Sequence, residues 1–249
     1  MKLARLPDGS PEIFHSLQGE GRNTGTPSIF IRSSLCNLHC HWCDTDYTWN
    51  WEDTEFDSES GRKYKREDQI LTLTPEQIVD HLARSGYDSC ENYVLTGGEP
   101  LIQHREWSEL MARIREKFGH RHFEVETNGT IIPPEAFLEA VDQINVSPKL
   151  ANSRVGEDLR FIPETLQQLA DTGKADFKIV VESKQDFAEL EALLSRVKID
   201  PDHVFLMPKA STAGELERHS QEIADYCLAH GFRFSDRLHV RLFGVKRGV

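Results

Sequence analysis

The chain has 249 residues, 38% of them hydrophobic, enough for one large α/β domain or two small ones with a substantial core. Twenty-nine basic residues stand against forty-one acidic ones, and the net charge of −12 opposes general binding to a phosphate backbone, so nucleic acid is not an expected partner. No run of about eighteen apolar residues is present to cross a membrane, the start MKLARLPDGS lacks the apolar region of a signal peptide, and five cysteines with three clustered favour a reducing cytoplasm over a disulfide framework.

Ile13 to Gly25 is polar and glycine-rich, and Ser28-Ile29-Phe30-Ile31-Arg32 then alternates as a strand. Period-two geometry puts Phe30 and Arg32 on one face and Ile29 and Ile31 on the other. The strand runs straight into Cys36-Asn-Leu-His-Cys40-His-Trp-Cys43, three thiols at spacing C-x3-C-x2-C, which places their chemistry at a strand's carboxyl-terminal end. Three soft ligands on one loop suit a metal or an iron-sulfur cluster, and a missing fourth cysteine leaves one iron of a four-iron cluster open to a small molecule. Zinc is the alternative, with His39 or His41 completing a tetrahedral site. Against it, all the thiols share one loop and no second C-x2-C exists. Cys90 and Cys227 stand alone and read as small buried hydrophobes. Arg32, beside the loop, reads either as a ligand for an anion or as a surface ion pair.

Residues 47–72 are polar and show no sustained apolar period, so they read as an insertion. Trp49, Trp51, Phe56 and Tyr64 are too many aromatics for a plain linker, and the segment is expected to form a small hairpin or to fold over the site. Thr74-Pro75-Glu76-Gln77 opens a helix with a capping box, and Gly86 ends it. Tyr93–Thr96 is a strand closing on Gly97-Gly98-Glu99-Pro100, and Trp107, Leu110, Met111, Ile114 and Phe118 repeat at helical spacing. His122–Glu126 is a strand ending at Thr127-Asn128-Gly129. A helix starts near Pro134, a strand covers Gln143–Val146 before Ser147-Pro148-Lys149, and a helix covers Glu164–Asp171. Ala175–Val181 is a strand, Phe187 to Leu194 a helix, and Val204–Met207 a strand. Ser211 caps a long helix that Gly231 ends, and Leu238–Leu242 closes the chain as a strand. Lys246 and Arg247 read as a solvated tail or part of a small anion site.

Strands alternating with helices imply an α/β fold built on a parallel sheet, open or curled towards a barrel, in a single domain without an evident boundary. Polar residues gather at successive strand ends: Glu99, Glu126 and Asn128, Ser147 and Lys149. Each turn alone has a plain steric reading; together they point to a ligand pocket.

The cysteine spacing, with Trp42 before the last thiol and Gly97-Gly98-Glu99 downstream, resembles the radical S-adenosylmethionine enzymes. That likeness implies a partial β/α barrel and a 4Fe-4S cluster on Cys36, Cys40 and Cys43, its open iron held by S-adenosylmethionine. Leu17-Gln18-Gly19-Glu20-Gly21, Phe30-Ile31-Arg32, Cys43-Asp44-Thr45, Thr96-Gly97-Gly98-Glu99, Glu126-Thr127-Asn128-Gly129, Ser147-Pro148-Lys149 and the stretch from Leu238 to Val249 narrow the resemblance to the 7-carboxy-7-deazaguanine synthase family. A rival enzyme reading, an activase that makes a glycyl radical on a partner, shares the cysteine loop but not Leu17-Gln18-Gly19-Glu20.

The resemblance implies a homodimer that turns 6-carboxy-5,6,7,8-tetrahydropterin into 7-carboxy-7-deazaguanine with loss of ammonia, drawing on an external one-electron reductant of flavodoxin or ferredoxin type. It assigns Leu17, Gln18, Gly19, Glu20, Arg32 and Thr96 to the pterin and Thr45 to Mg2+. Trp42, Cys43, Asp44, Gly98, Glu99, Glu126, Asn128, Ser147, Pro148 and Lys149 fall around S-adenosylmethionine, with Met207, Pro208 and Lys209 added at a later strand end. Some family members space their first two cysteines far more widely and end near a proline; this chain has the short spacing and ends in Val249.

Overall fold

The computed structural model describes residues 1–249. Ten strands form one sheet: β1 (Lys2–Ala4), β2 (Ile13–Leu17), β3 (Pro27–Ser33), β4 (Ile70–Thr72), β5 (Asn92–Gly97), β6 (His122–Thr127), β7 (Gln143–Val146), β8 (Ala175–Val181), β9 (Val204–Pro208) and β10 (Arg233–Phe234). The order is β10-β9-β8-β7-β6-β5-β3-β1-β4, with β2 also paired to β3. From β3 to β10 along this path every pairing is parallel. β1 and β2 share the free edge of β3 and run antiparallel to it, and β4 follows antiparallel to β1. The sheet therefore stays open.

Nine α-helices connect and cover these strands: α1 (Arg66–Gln69), α2 (Pro75–Arg84), α3 (His104–Phe118), α4 (Glu135–Ala140), α5 (Glu157–Arg160), α6 (Pro163–Asp171), α7 (Gln185–Arg196), α8 (Ala213–His230) and α9 (Leu238–Phe243). None is long and apolar enough to cross a membrane. α2 starts as its sequence dictates: the Thr74 hydroxyl accepts from the Gln77 backbone N–H at 3.3 Å, and the Gln77 side chain accepts from the Thr74 N–H at 2.8 Å. Alternation along the strands sends one set of side chains to the helices. Ile29 and Ile31, Tyr93 and Leu95, Phe123 and Val125, Ile144 and Val146, and Phe177, Ile179 and Val181 join Trp107, Leu110 and Ile114 in one buried apolar core.

Several expectations need correction. Leu238–Leu242 alternates like a strand, yet it is the helix α9, closed by N–H groups of Arg241 and Gly244 bonding four residues back. β10 has already ended the sheet, and a single buried residue, Val240, docks the helix on Leu216. The cap of α8 is Thr212 rather than Ser211; Thr212 and Glu215 form the capping box, while Ser211 bonds the same Glu215 carboxylate. Of the two forms expected for segment 47–72 the hairpin is absent, since Trp51 and Tyr64 pair in parallel and Ile70–Thr72 is β4 of the main sheet, whereas the fold over the cysteine loop is present. Arg247 is no solvated tail either, being held on Glu12, Gln69 and the Arg5 carbonyl, although Lys246 is exposed. Strands β1 and β2 escape the reading of hydrophobic pattern because one is three residues long and the other leads into a glycine-rich turn. Cys227 is buried as expected, but Cys90 is only half-buried.

Candidate active site

The strands' carboxyl-terminal ends surround a cavity of about 1160 Å³. Cys36, Cys40 and Cys43 line it together as free thiols. Burial pushes all three up, Cys40 to about 11, with crowding by neighbouring thiols and carboxylates adding to the effect. Buried thiols that repel one another's ionised forms are relieved when a metal takes the place of their protons, so this donor set fits a soft iron-sulfur group. The Trp49 indole N–H donates to the Cys43 sulfur at 3.4 Å, and the Thr45 hydroxyl lies 3.5 Å from it. Trp49 belongs to the segment that folds back over the cysteine loop. There Phe56 stacks on His39, between the first two cysteines, with ring centroids 3.5 Å apart. His39 is thus packed on an aromatic ring.

Gly98 meets this loop directly. A Cβ there would stand 2.2 Å from the Leu35 carbonyl oxygen and 2.9 Å from the Cys36 Cβ, so only glycine lets the strand end and the cysteine loop touch. Glu99 faces elsewhere. Fully buried, it accepts from the Leu101 N–H at 3.0 Å, the Thr127 hydroxyl at 2.8 Å and the Asn128 N–H at 2.7 Å, tying two strand ends together outside the cavity. Pro148 is likewise buried and absent from the lining. Trp42, Asp44, Gly98, Glu126, Asn128, Ser147 and Lys149 do line it, as do Met207, Pro208 and Lys209. The Lys149 ammonium lies 5.4 Å from the Trp42 ring centre.

The lining also includes Leu17, Gln18, Gly19 and Glu20, with Arg32, Thr96 and Thr45. Arg32 and Thr96 are register partners on β3 and β5, so both point to the cavity face. The Arg32 Nε donates to Glu12 at 2.9 Å, a buried ion pair rather than a surface one. Gln18 is buried, and its amide donates to Glu124 at 3.2 Å and Glu126 at 3.4 Å, so that side chain shapes the loop from inside. Gly19 has no room for a side chain, since a Cβ would stand 2.1 Å from the His239 Nδ1.

Sequence reasoning missed the cations that hold Glu20. Lys178, on β8, donates to Glu20 at 2.5 Å and Glu126 at 3.0 Å, and Arg237, after β10, bonds Glu20 at 2.9 Å and Asp44 at 2.5 Å. Burial acts to raise the Glu20 carboxyl, but Lys178, Arg237 and His239 outweigh it and hold Glu20 well below the usual range. Glu126 goes the other way, pushed up by burial and by its neighbours Glu20 and Glu124 despite Lys178. One ammonium does not neutralise two buried carboxylates. The available signal was two charged residues, Asp176 and Lys178, inside the otherwise apolar strand Ala175–Val181.

A family model described as the Radical SAM superfamily matches residues 30–193. The chain is 36% identical to 7-carboxy-7-deazaguanine synthase of Halobacterium salinarum, covering 93% of this chain and 89% of that one. It is 35% identical to the Pyrobaculum aerophilum protein of the same name, covering 95% of each. The chain belongs to the 7-carboxy-7-deazaguanine synthase family. The fold agrees: the crystal structure of QueE from Escherichia coli superposes with a TM-score of 0.67 at 26% identity, over 96% of this chain and 95% of that one. As in a radical SAM domain, the sheet is a partial barrel with its loops on one rim. Membership carries the four-iron cluster and S-adenosylmethionine with it, and the three thiols on the cavity wall fit that pairing.

Proposed function

We propose that this enzyme converts 6-carboxy-5,6,7,8-tetrahydropterin to 7-carboxy-7-deazaguanine with release of ammonia, the ring-contracting step of queuosine biosynthesis. The observation that carries the reading is one cavity lined both by three cysteine thiols and by Arg32, Thr96 and the Leu17–Glu20 loop. A glycyl-radical activase, whose target is a protein segment, has no use for the second set.

Cys36, Cys40 and Cys43 hold the 4Fe-4S cluster. Trp42, Asp44, Gly98, Glu126, Asn128, Ser147 and Lys149 border S-adenosylmethionine, with Met207, Pro208 and Lys209 added from a later strand end. Glu99 and Pro148 serve that site by fixing its turns. When bound, cluster and S-adenosylmethionine supply a 5′-deoxyadenosyl radical that takes hydrogen from substrate carbon 6. The chain's own residues set the position at which this happens. Arg32 grips the substrate carboxylate, a planar fork matching a planar anion. Glu20, kept ionised by Lys178 and Arg237, accepts from the pterin's N–H edge. Thr96 and the Leu17–Gly19 backbone complete the seat, and Gln18 braces it from within. Thr45 would offer a hard oxygen to Mg2+, which would supply positive charge at the substrate. The electron comes from a separate flavodoxin or ferredoxin type protein in the cytoplasm, and the single-domain chain works as a homodimer.

The test is product analysis after anaerobic reconstitution with iron and sulfide. With carboxytetrahydropterin, S-adenosylmethionine and a reductant, 7-carboxy-7-deazaguanine and ammonia should appear in equal amounts, with S-adenosylmethionine regenerated. Steady consumption of S-adenosylmethionine without a deazaguanine product would remove the reading.

A further inference from the structure

Glu12 is 1% exposed and its carboxylate is shared by two arginines from distant parts of the chain. Oε1 accepts from the Arg32 Nε at 2.9 Å and from the Tyr47 hydroxyl at 2.9 Å; Oε2 accepts from Arg247 at 2.8 Å through Nη2 and at 3.2 Å through Nε. The two cations are used differently. Arg247 has its remaining donors on Gln69 at 3.1 Å and on the Arg5 carbonyl at 2.7 Å, and it lies 3.5 Å from the centre of the Tyr47 ring. Every nitrogen of Arg247 is held by the protein. Arg32 has only its Nε engaged, and its side chain borders the cavity with both terminal nitrogens free.

Charge points the same way. One carboxylate, Glu12, faces two guanidinium groups, and the nearby Asp44 is bonded at 2.5 Å to Arg237, which also holds Glu20 at 2.9 Å. Arg32 and Arg247 share this one carboxylate, and the open side of the group is the cavity side of Arg32. With the Nε edge tied to Glu12, the end that remains is the pair of terminal nitrogens, a second two-pronged face for a carboxylate.

We infer that Glu12 is a positioning residue that selects carboxylated over uncarboxylated pterins: it fixes the Arg32 guanidinium end-on to the ligand's carboxylate, while Arg247 occupies the other oxygen of Glu12 and holds that carboxylate in place. The inference rests on the proposed role of Arg32. Without Glu12 the guanidinium keeps its charge but loses its orientation, and misplacing the substrate's carboxylate misplaces carbon 6 with it.

Calorimetric titration of the reconstituted enzyme with 6-carboxypterin and with pterin reads the preference directly. Wild type should favour 6-carboxypterin, and Glu12→Gln should lose at least about tenfold of that preference, the worth of one charge-assisted hydrogen bond, with pterin affinity little changed. Glu12→Asp keeps the charge but withdraws it by one methylene, so it should lose part of the preference, and both variants should release more 5′-deoxyadenosine per product formed. An undiminished preference in Glu12→Gln, or equal weakening of both ligands, overturns the positioning role and leaves Glu12 a purely structural anchor. If Glu12→Gln does not fold, an unchanged preference in Glu12→Asp overturns it equally. A wild type without any preference would sink the reading of Arg32 and this inference together, a result distinct from a wild type and a variant that both discriminate.

Discussion

Phe177 and Lys178 are neighbours on β8 and both are buried, yet they face different solvents. Phe177 lies in the apolar layer between sheet and helices, and Lys178 lies on the concave face between Glu20 and Glu126. The contrast repeats along β6, where Phe123 and Val125 alternate with Glu124 and Glu126, and along β7, where Ile144 and Val146 alternate with Gln143 and Asn145. The convex layer is held by area removed from water. The concave layer is held by completion: Glu124, fully buried, has no cation against it and instead accepts from Asn92 at 2.5 Å, Asn145 at 2.9 Å and Gln18 at 3.2 Å. A polar layer of that kind contributes little net stability but leaves each group pointing in one direction. The site needs that directionality.

Substitutions on the two faces should therefore fail in different ways. The largest effect on activity belongs to the concave rim: Cys36→Ala, Cys40→Ala or Cys43→Ala should abolish cleavage of S-adenosylmethionine and the cluster's absorption, while Cys90→Ala and Cys227→Ala retain both. A triad variant with a full cluster spectrum and normal turnover would refute the ligand assignment.

Next come the two neighbours. Phe177→Ala should cost about 3–5 kcal/mol through an empty cavity, and Lys178→Met about the same by leaving Glu20 and Glu126 without their shared cation. Acid separates them. A carboxylate whose folded pKa is depressed, as for Glu20, adds stability that is present above its ordinary value of 4.5 and is lost as the pH falls towards the folded value. The gap between wild type and Lys178→Met should narrow on acidification below 4.5, whereas the Phe177→Ala gap should not. Denaturant titrations at pH 7 and pH 4 check this, and two parallel gaps would show that Lys178 acts by packing alone.

Thr45→Ala should sharpen the contrast within the rim itself, raising the Mg2+ concentration for half-maximal turnover with the cluster spectrum unchanged. Equal Mg2+ activation of the variant and wild type removes Thr45 from that role. The smallest effect is expected at the convex surface: Thr74→Ala should lower stability by about 1 kcal/mol through the lost cap of α2, visible in a thermal melt and absent from the kinetics.

The convex face was legible because burial of apolar area writes its period into the sequence: the strands Gln143–Val146 and Ala175–Val181 and the helix carrying Trp107 fall where the pattern puts them. The cysteine loop and the Gly97-Gly98 turn were legible for a different reason, as ligand spacing and close approach leave few residue choices. The ion-paired floor was not. Lys178, Arg237 and Glu12 are recognisable only by their partners, which lie 158, 217 and 235 residues away in Glu20 for the first two and Arg247 for the last. The helix at Leu238–Phe243 misled by its alternation, since a helix with one buried residue leaves no helical period to detect.

The hydrogen bond from the Trp49 indole to Cys43 also makes the protein its own reporter. Of the four tryptophans, Trp42 lies in the cysteine loop and Trp49 touches its last thiol, while Trp107 is enclosed in the apolar core and Trp51 is buried one residue beyond Trp49's neighbour Asn50. Iron loading should quench the emission of Trp42 and Trp49 first, so intrinsic fluorescence follows cluster assembly in real time without added dye. In Trp49→Phe the fluorescence drop on loading should be visibly smaller, which calibrates how much of the signal comes from the ring that holds the sulfur.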